Sequence, residues 1–550
     1  MNKINLPVGT AGFESIRENG YYYIDKTRLI SELIRDSATS LLFTRPRRFG
    51  KTTVMTMLSS FFDIQKNSEA LFSGLSVMED VEAVNNWMNK YPVIYISFKD
   101  VSGLGFPDAL AMLGAELYRL FQKYPLFKSV EFSEGDRRLL NDIFSGNPSA
   151  ISIKKSLSSL VWMLSNYYGR KVIILIDEYD VPLAYSEQNG YYDEMLDVIR
   201  SMFSVLKDNE NVEKAVLTGC LKISKESLFT GLNNLASYSL LSKKYASYFG
   251  FTDTEVDSLL SAAALADKKD VIANWYDGYQ IGGVSIFSSW DVISYVNDLQ
   301  SDCNALPRNY WANTSSNSII RKFIELTNAS IADEYSSLIS GNVIYKQISE
   351  NVTYNDLYSS IDNVWSLMFE TGYLTLSGEY DENNLSPLRI PNEEIRNLFI
   401  NTVNRWFDDS IRKEDRTKLF SALFSGDENA LYELITDCLE ETISYYDYSE
   451  EFYHAFVAGL FSSVNYYVKS NREAGTGRYD LLVADRKNKK IAILEFKAVK
   501  KEADIQKTLN KALVQIDEKA YDFDFKRYSL LRYAVVFFKK SASVLLKKDE

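Results

Sequence analysis

Two short stretches of this chain gather residue types that handle phosphate. The first is Gly50-Lys51-Thr52-Thr53, set between the apolar run Leu41-Leu42-Phe43 with its following loop and a helical run over 54–62. At such a strand-to-helix junction, backbone N–H groups can wrap an anion, a lysine can reach its terminal phosphates and a hydroxyl can hold Mg²⁺. The helix N-terminus adds its positive dipole end. Lys51 and Thr52 take the lysine and hydroxyl roles. The second stretch, Asp480 with Glu495-Phe496-Lys497, brings two carboxylates and an ammonium, the set that metal-assisted phosphodiester hydrolysis uses.

The first stretch departs from the pattern G-x-x-x-x-G-K-[ST], because Arg45 stands where that pattern has its first glycine. A left-handed backbone there would cost a non-glycine residue about 1–2 kcal/mol, so a differently shaped loop is expected. A helix N-cap with a nearby lysine stays open as the plainer reading of Gly-Lys-Thr alone. The run Lys171-Val172-Ile173-Ile174-Leu175-Ile176-Asp177-Glu178 weighs against it. A buried central strand delivers its terminal carboxylates to the sheet edge that carries the phosphate loop. Asp177 would then hold the Mg²⁺ shell, and Glu178 would orient or deprotonate a water.

The second stretch reads as a β-hairpin over Gly477-Arg478-Tyr479-Asp480 to Glu495-Phe496-Lys497, with a lysine-rich turn at 486–490. A turn centred on Lys487-Asn488 sets Asp480 opposite Glu495, with Cβ atoms about 4.5–5.5 Å apart. Like charges so placed call for a cation between them. Alternation along the strand gives Lys497 the face of Glu495. A solvated charged strand face is the alternative. His454, the only histidine, begins the preceding helix and is a candidate third metal ligand. Gln515 lies on a later helix beside a lysine-rich surface, where contact with a DNA backbone is expected.

The elements that must position these groups alternate strand-like and helical patterns from 24 to about 250, the signature of a parallel sheet covered by helices. Residues 251–440 read as mainly helical, with short strand candidates such as Gly372-Tyr373-Leu374-Thr375-Leu376, and a strand-rich unit follows. The 550 residues suit two or three domains. With 46% apolar and 25% charged residues the balance is that of a soluble globular chain. No apolar stretch approaches a membrane span, and Met1-Asn2-Lys3-Ile4-Asn5 opens no secretory segment, so a cytoplasmic protein is expected. Three scattered cysteines argue against a disulfide framework. A net charge of −13 argues against indiscriminate polyanion binding, although a local basic patch can still meet nucleic acid.

Taken together the motifs resemble the bacterial AAA-ATPase-like proteins fused to a C-terminal PD-(D/E)xK, RecB-like nuclease domain. The resemblance runs through Tyr23-Ile24-Asp25-Lys26-Thr27, Arg45-Pro46-Arg47-Arg48-Phe49-Gly50-Lys51-Thr52, Leu175-Ile176-Asp177-Glu178-Tyr179-Asp180, Leu217-Thr218-Gly219, Gly231-Leu232-Asn233-Asn234 and Trp275-Tyr276-Asp277-Gly278-Tyr279. It ends in Ser470-Asn471-Arg472-Glu473 and the hairpin. It implies that the Arg-Pro-Arg-Arg loop is a family variant, with Arg45, Arg47, Arg48, Gly50, Lys51, Thr52, Thr53 and Asp177 contacting ATP and Thr218 as a γ-phosphate sensor. Lys222 stands where relatives carry arginine, which puts a sensor role there in doubt. RecB-like nucleases imply the roles given above to His454, Asp480, Glu495, Lys497 and Gln515.

The expected fold is α/β: an N-terminal P-loop NTPase parallel sheet with helices on both faces at 1–250, a helical lid or linker at 251–440, and a restriction-endonuclease-like α/β domain at 441–550. The expected activity is ATP binding and hydrolysis with metal-dependent cleavage of nucleic acid, DNA foremost, gated by nucleotide state. Mg²⁺ is the expected metal, or Mn²⁺ at the nuclease site, and a homo-oligomer is admitted. A nucleotide-binding switch or scaffold with little or no nuclease activity is the alternative.

Overall fold

The computed structural model describes residues 3–124, 132–222, 229, 234–311, 334–335, 337–350, 360–401, 417–442, 453, 456–457, 460–461, 466–474, 477–518 and 528–547. Two compact units emerge, one of Met1–Asn313 with Tyr345–Glu394, the other of Thr314–Ile344 with Ile395–Glu550.

In the first unit β1 (Ser40–Thr44), β2 (Val93–Ser97), β3 (Val172–Asp177), β4 (Val212–Gly219) and β5 (Leu235–Tyr238) form one parallel sheet in the order β2-β3-β4-β1-β5. Every residue of β1 and β3 is buried. Continuous apolar runs fill these central strands because both of their faces are covered, as a parallel sheet requires. The register pairs Phe43 with Thr218, Thr44 with Gly219 and Ser97 with Asp177, so Thr44, Asp177 and Thr218 end at one edge.

Beyond this sheet, β6 (Phe251–Thr252), β7 (Tyr279–Ile281) and β8 (Val284–Phe287) make a small sheet in the order β6-β8-β7. Helices Asp253–Ala263, Lys269–Tyr276 and Ser289–Ser301 accompany it. They share an apolar core that includes Val256, Leu260, Ile272, Tyr276, Val292 and Val296. The first helix opens on a capping box of Thr252 and Glu255. A third sheet joins β9 (Ile344–Lys346), β10 (Thr375–Leu376) and β11 (Ser386–Arg389). The region read as mainly helical therefore also carries strands; the candidate at 372–376 contains β10, and the other strands are short. Gly278 has φ 95°, and a Cβ there would lie 2.0 Å from the Pro391 carbonyl, so only glycine fits that crossing.

The second unit is built on a five-stranded mixed sheet of β12 (Tyr467–Ala474), β13 (Gly477–Asp485), β14 (Lys490–Ala498), β15 (Ser529–Phe538) and β16 (Ser541–Leu546), in that spatial order. β14 and β15 are parallel and the other pairs antiparallel. A parallel pair needs a crossover, which contains helix Ile505–Glu518. Its apolar face, with Leu509 and Ala512, packs on Ala534 and Val536 of β15. The fold is thus α/β throughout: a parallel sheet with helices, a largely helical middle and a C-terminal mixed sheet.

One side chain makes the first unit's interior sensitive to pH. Helix Ile361–Glu370 ends on Glu370, which is 4% exposed, and neither of its carboxyl oxygens has a hydrogen-bond partner among the described residues. Burial, reinforced by Glu350, pushes its pKa up to about 8 against the pull of Arg45 and Lys222. Below about pH 4.5 the group is protonated in both folded and unfolded chain. As pH rises from there to about 8 the unfolded chain releases a proton that the folded one keeps, so stability falls. Glu370→Gln removes this term. The melting temperature of the variant should gain on wild type between pH 5 and 8 and hold level above that. A difference constant with pH would contradict the assignment.

Candidate nucleotide site and candidate nuclease site

Arg45 leaves the end of β1 and turns inward. It is fully buried, and its guanidinium donates to the carbonyls of Thr44, Tyr238 and Ser239 at 2.8–3.0 Å and of Tyr245 at 3.4 Å, lying 5.1 Å from the Phe249 ring. Burial lowers its pKa only to about 10, and Glu370 opposes the shift, so it stays charged at neutral pH. The expectation of a phosphate contact by Arg45 is corrected: the group is sealed in the interior and spends its donors on carbonyls. Its φ is not left-handed either. Arg48 (φ 71°) and Gly50 (φ 76°) are the loop residues that take that conformation.

The rest of the loop is held from the segments that follow the parallel sheet. A Cβ on Gly372 would come within 2.8 Å of Pro46. Phe49 meets Tyr279 edge-on at 4.9 Å, and its carbonyl accepts the Gly250 N–H at 2.9 Å. Trp275-Tyr276-Asp277-Gly278-Tyr279 thus becomes part of the loop's support. Arg47 is exposed.

Gly50 caps helix Lys51–Phe62. Lys51 Nζ donates to the carbonyls of Arg45 and Pro46 at 3.1 Å each and lies 3.5 Å from Glu178 Oε1. Burial works against its charge, but Cys220, Glu178, Asp180 and Asp177 outweigh it and hold its pKa above the ordinary lysine value. Thr52 Oγ1 donates to one Asp177 oxygen at 2.8 Å, and Thr218 Oγ1 donates to the other at 2.6 Å. Burial, then the nearby Glu178, raises the pKa of Asp177 against these bonds. Glu178 has φ 53°, an uncommon conformation for a side chain of its size. Lys51, Thr52, Thr53 and Glu178 line a cavity of about 230 Å³ whose apolar wall includes Tyr22, Ile24, Tyr248 and Trp290. A hydroxyl and a buried carboxylate beside a lysine form a hard oxygen donor set, which fits Mg²⁺.

Sequence reasoning missed the group that fixes the strand end beside this site. Asp180, buried at 3% exposure, accepts the N–H groups of Cys220 (3.0 Å) and Leu221 (3.2 Å), while the Tyr179 hydroxyl donates to the Leu221 carbonyl. A Cβ on Gly219 would sit 2.6 Å from the Tyr179 ring, so this approach needs glycine. The third acid of Asp177-Glu178-Tyr179-Asp180 was the available signal.

In the second unit the hairpin pairs Asp485 with Lys490 and Leu481 with Leu494. Asp480 lies one residue beyond that last pair, and Glu495 follows on the facing strand. Asp480 Oδ2 accepts the Phe496 N–H at 2.8 Å. Glu495 is 1% exposed, and Lys497 Nζ lies 3.5 Å from it while donating to the Phe496 carbonyl at 2.7 Å. Gln515 is placed differently from the expected DNA-facing position: its amide donates to Glu495 Oε1. Helix Ile505–Glu518 packs along β14 and β15, which turns this residue toward the hairpin. His454 lies outside the described residues. Among the described residues no three of His, Cys, Asp and Glu are gathered around a common metal position. Two carboxylates with a lysine remain a hard donor set suited to a divalent ion.

No helix among the described residues is long and apolar enough to cross a membrane. The family model described as a predicted AAA-ATPase matches residues 7–229, and that of the PD-(D/E)XK nuclease superfamily matches 448–546. The chain is 27% identical over 550 residues to an uncharacterized protein in the vnfD 5′ region of Azotobacter chroococcum mcd 1, covering 95% of this chain and 93% of that protein. A solved structure of the Aeropyrum pernix ORC2 protein in ADPNP and ADP complexes aligns over 73% of this chain and 96% of its own. At 11% identity and a TM-score of 0.22, that likeness carries no structural argument. The two family matches divide between them the two candidate sites, and the chain is an AAA-ATPase-like domain joined in one polypeptide to a C-terminal PD-(D/E)XK nuclease superfamily domain.

Proposed function

We propose that this chain binds and hydrolyses Mg·ATP at the loop around Lys51 and cleaves nucleic acid, DNA foremost, at the hairpin around Asp480, with nucleotide state gating the cleavage. The observation that carries the reading is the convergence of Lys51, Thr52, Glu178, Asp177 and Thr218 on one sheet edge, in a chain whose second unit presents Asp480, Glu495 and Lys497 on one hairpin. Gly50, Thr53, Arg47 and Arg48 supply further loop contacts to the nucleotide. The division into 1–250, 251–440 and 441–550 and a cytoplasmic location, as monomer or homo-oligomer, belong to the same reading.

On nucleotide arrival Lys51 exchanges its loop carbonyls for phosphate oxygens, and Glu178, released from Lys51, orients or deprotonates the attacking water. Thr218 stays on Asp177 and senses the terminal phosphate. Thr52 and Asp177 would hold Mg²⁺, and Asp480 and Glu495, with His454, would hold Mg²⁺ or Mn²⁺ at the hairpin. A divalent ion held there would lower the pKa of a bound water and polarise the phosphoryl oxygen. Lys497 steadies the nucleophile or the developing charge. The second reading, a nucleotide-binding switch without cleavage, draws on Gln515 and Lys497 already engaging Glu495.

Plasmid cleavage with Mg²⁺ or Mn²⁺, with and without ATP, separates the two. Asp480→Ala and Lys497→Ala should each lower cleavage by at least about 100-fold. Lys51→Ala should keep the cleavage chemistry and lose its response to ATP. Cleavage by Asp480→Ala at the wild-type rate would end the nuclease reading.

A further inference from the structure

Arg48 is fastened by both its backbone and its side chain. Its carbonyl accepts the Ser289 hydroxyl at 2.9 Å and the Trp290 N–H at 3.4 Å, at the start of helix Ser289–Ser301. Its guanidinium lies 3.5 Å from Asp291 and 5.4 Å from the Trp290 ring, and it donates to the Tyr310 carbonyl. Asp291 and Glu394 are each 1% exposed and hydrogen-bonded to one another, and Glu394 also accepts the Trp311 N–H at 2.6 Å. Burial pushes the pKa of both acids up, that of Glu394 further because Asp291 lies beside it, while Arg48 pulls both down and faces Asp291, which favours the anion there.

The positions of these partners matter more than their number. The first unit ends twice along the chain on the way into the second, after Asn313 and after Glu394. Arg48 therefore touches Tyr310 just before one exit, and through Asp291 it reaches Glu394, the last residue before the other. Glu394 in turn holds Trp311, which ties the two exits together. Arg48 also lines the cavity beside Lys51.

We propose that Arg48, Asp291 and Glu394 form a coupling link that carries the occupancy of the phosphate loop to the two segments by which the chain leaves the ATPase unit. The link rests on the nucleotide-gating reading and gives it a route. A polyphosphate in the cavity competes with Asp291 for the guanidinium, and charge-assisted bonds to phosphate oxygens favour arginine. Asp291 that loses its cation is a buried anion beside a second acid. Such a pair re-forms its bonds or moves, because a buried charge without its counter-ion is costly. Packed clusters of this kind switch between discrete arrangements rather than bending gradually.

Hydrogen exchange of the full-length protein, read by mass spectrometry with and without Mg·ATP, tests the link. In wild type, nucleotide should change exchange several-fold at the loop, over 45–52, and also at 308–311 and 390–398. In Asp291→Asn and in Glu394→Ala the loop should still respond while both exits fall silent. Glu394→Gln, which keeps an acceptor for Trp311 and a donor toward Asp291, should respond as wild type. Exits that stay silent in wild type while the loop responds overturn the link, even if a variant fails to fold. Exits that respond as wild type in Asp291→Asn and Glu394→Ala overturn it too. Parallel cleavage assays keep the two claims apart. Exits that respond while cleavage ignores ATP leave the link standing and end the gating reading. Cleavage that follows ATP with silent exits does the reverse.

Discussion

A guanidinium sealed inside the first unit sets the shape of the loop that carries Lys51. Arg45 stands where the usual pattern has glycine, yet it needs no left-handed backbone. It folds its side chain into the interior and bonds four carbonyls, three of them from the stretch 238–245. A buried cation is costly to desolvate, and here both terminal nitrogens of the guanidinium bond carbonyls while Nε has no hydrogen-bond partner among the described residues. Hydrogen bonds from a charged group are each worth about 1.5–3 kcal/mol once made. The arrangement ties β1, β5 and the segment after β5 to one point, directly before the loop that carries Lys51.

From that point the site follows by backbone geometry. Parallel strands end their carboxylates and hydroxyls at one edge, so Asp177 receives Thr52 on one oxygen and Thr218 on the other. Asp180 and Gly219 keep the neighbouring strand end close enough for this to happen. The hairpin of the second unit solves a similar problem with fewer parts. Two carboxylates project from facing strands, and Lys497 with Gln515 supplies the positive and polar company that Glu495 needs when buried.

Much of this was legible in the chain. The apolar runs at 41–43, 172–176 and 215–217 announced central parallel strands, and the lysine-rich turn at 486–489 fixed the hairpin register. What was not legible depends on side-chain direction and on distance along the chain. Nothing in the spacing of Arg45-Pro46-Arg47-Arg48 says that the first arginine points inward, the second is exposed and the third meets an acid from residue 291. Glu370 and Glu394 come from more than 300 residues away and carry no motif. Gln515 read as an exposed helix position because its packing partner, β14, lies in another element. In the middle region the apolar run 372–376 showed the place of β10, while the other strands, of two to four residues, are too brief for periodicity to reveal.

Arg45 builds this loop and is no defect in it. The direct measurement is calorimetric binding of Mg·ATP to the full-length protein against Arg45→Gly, the change that restores the standard pattern. Arg45→Gly should bind nucleotide at least about tenfold more weakly, a loss of about 1.4 kcal/mol, because the loop loses its interior anchor. Binding equal to or tighter than wild type would contradict it.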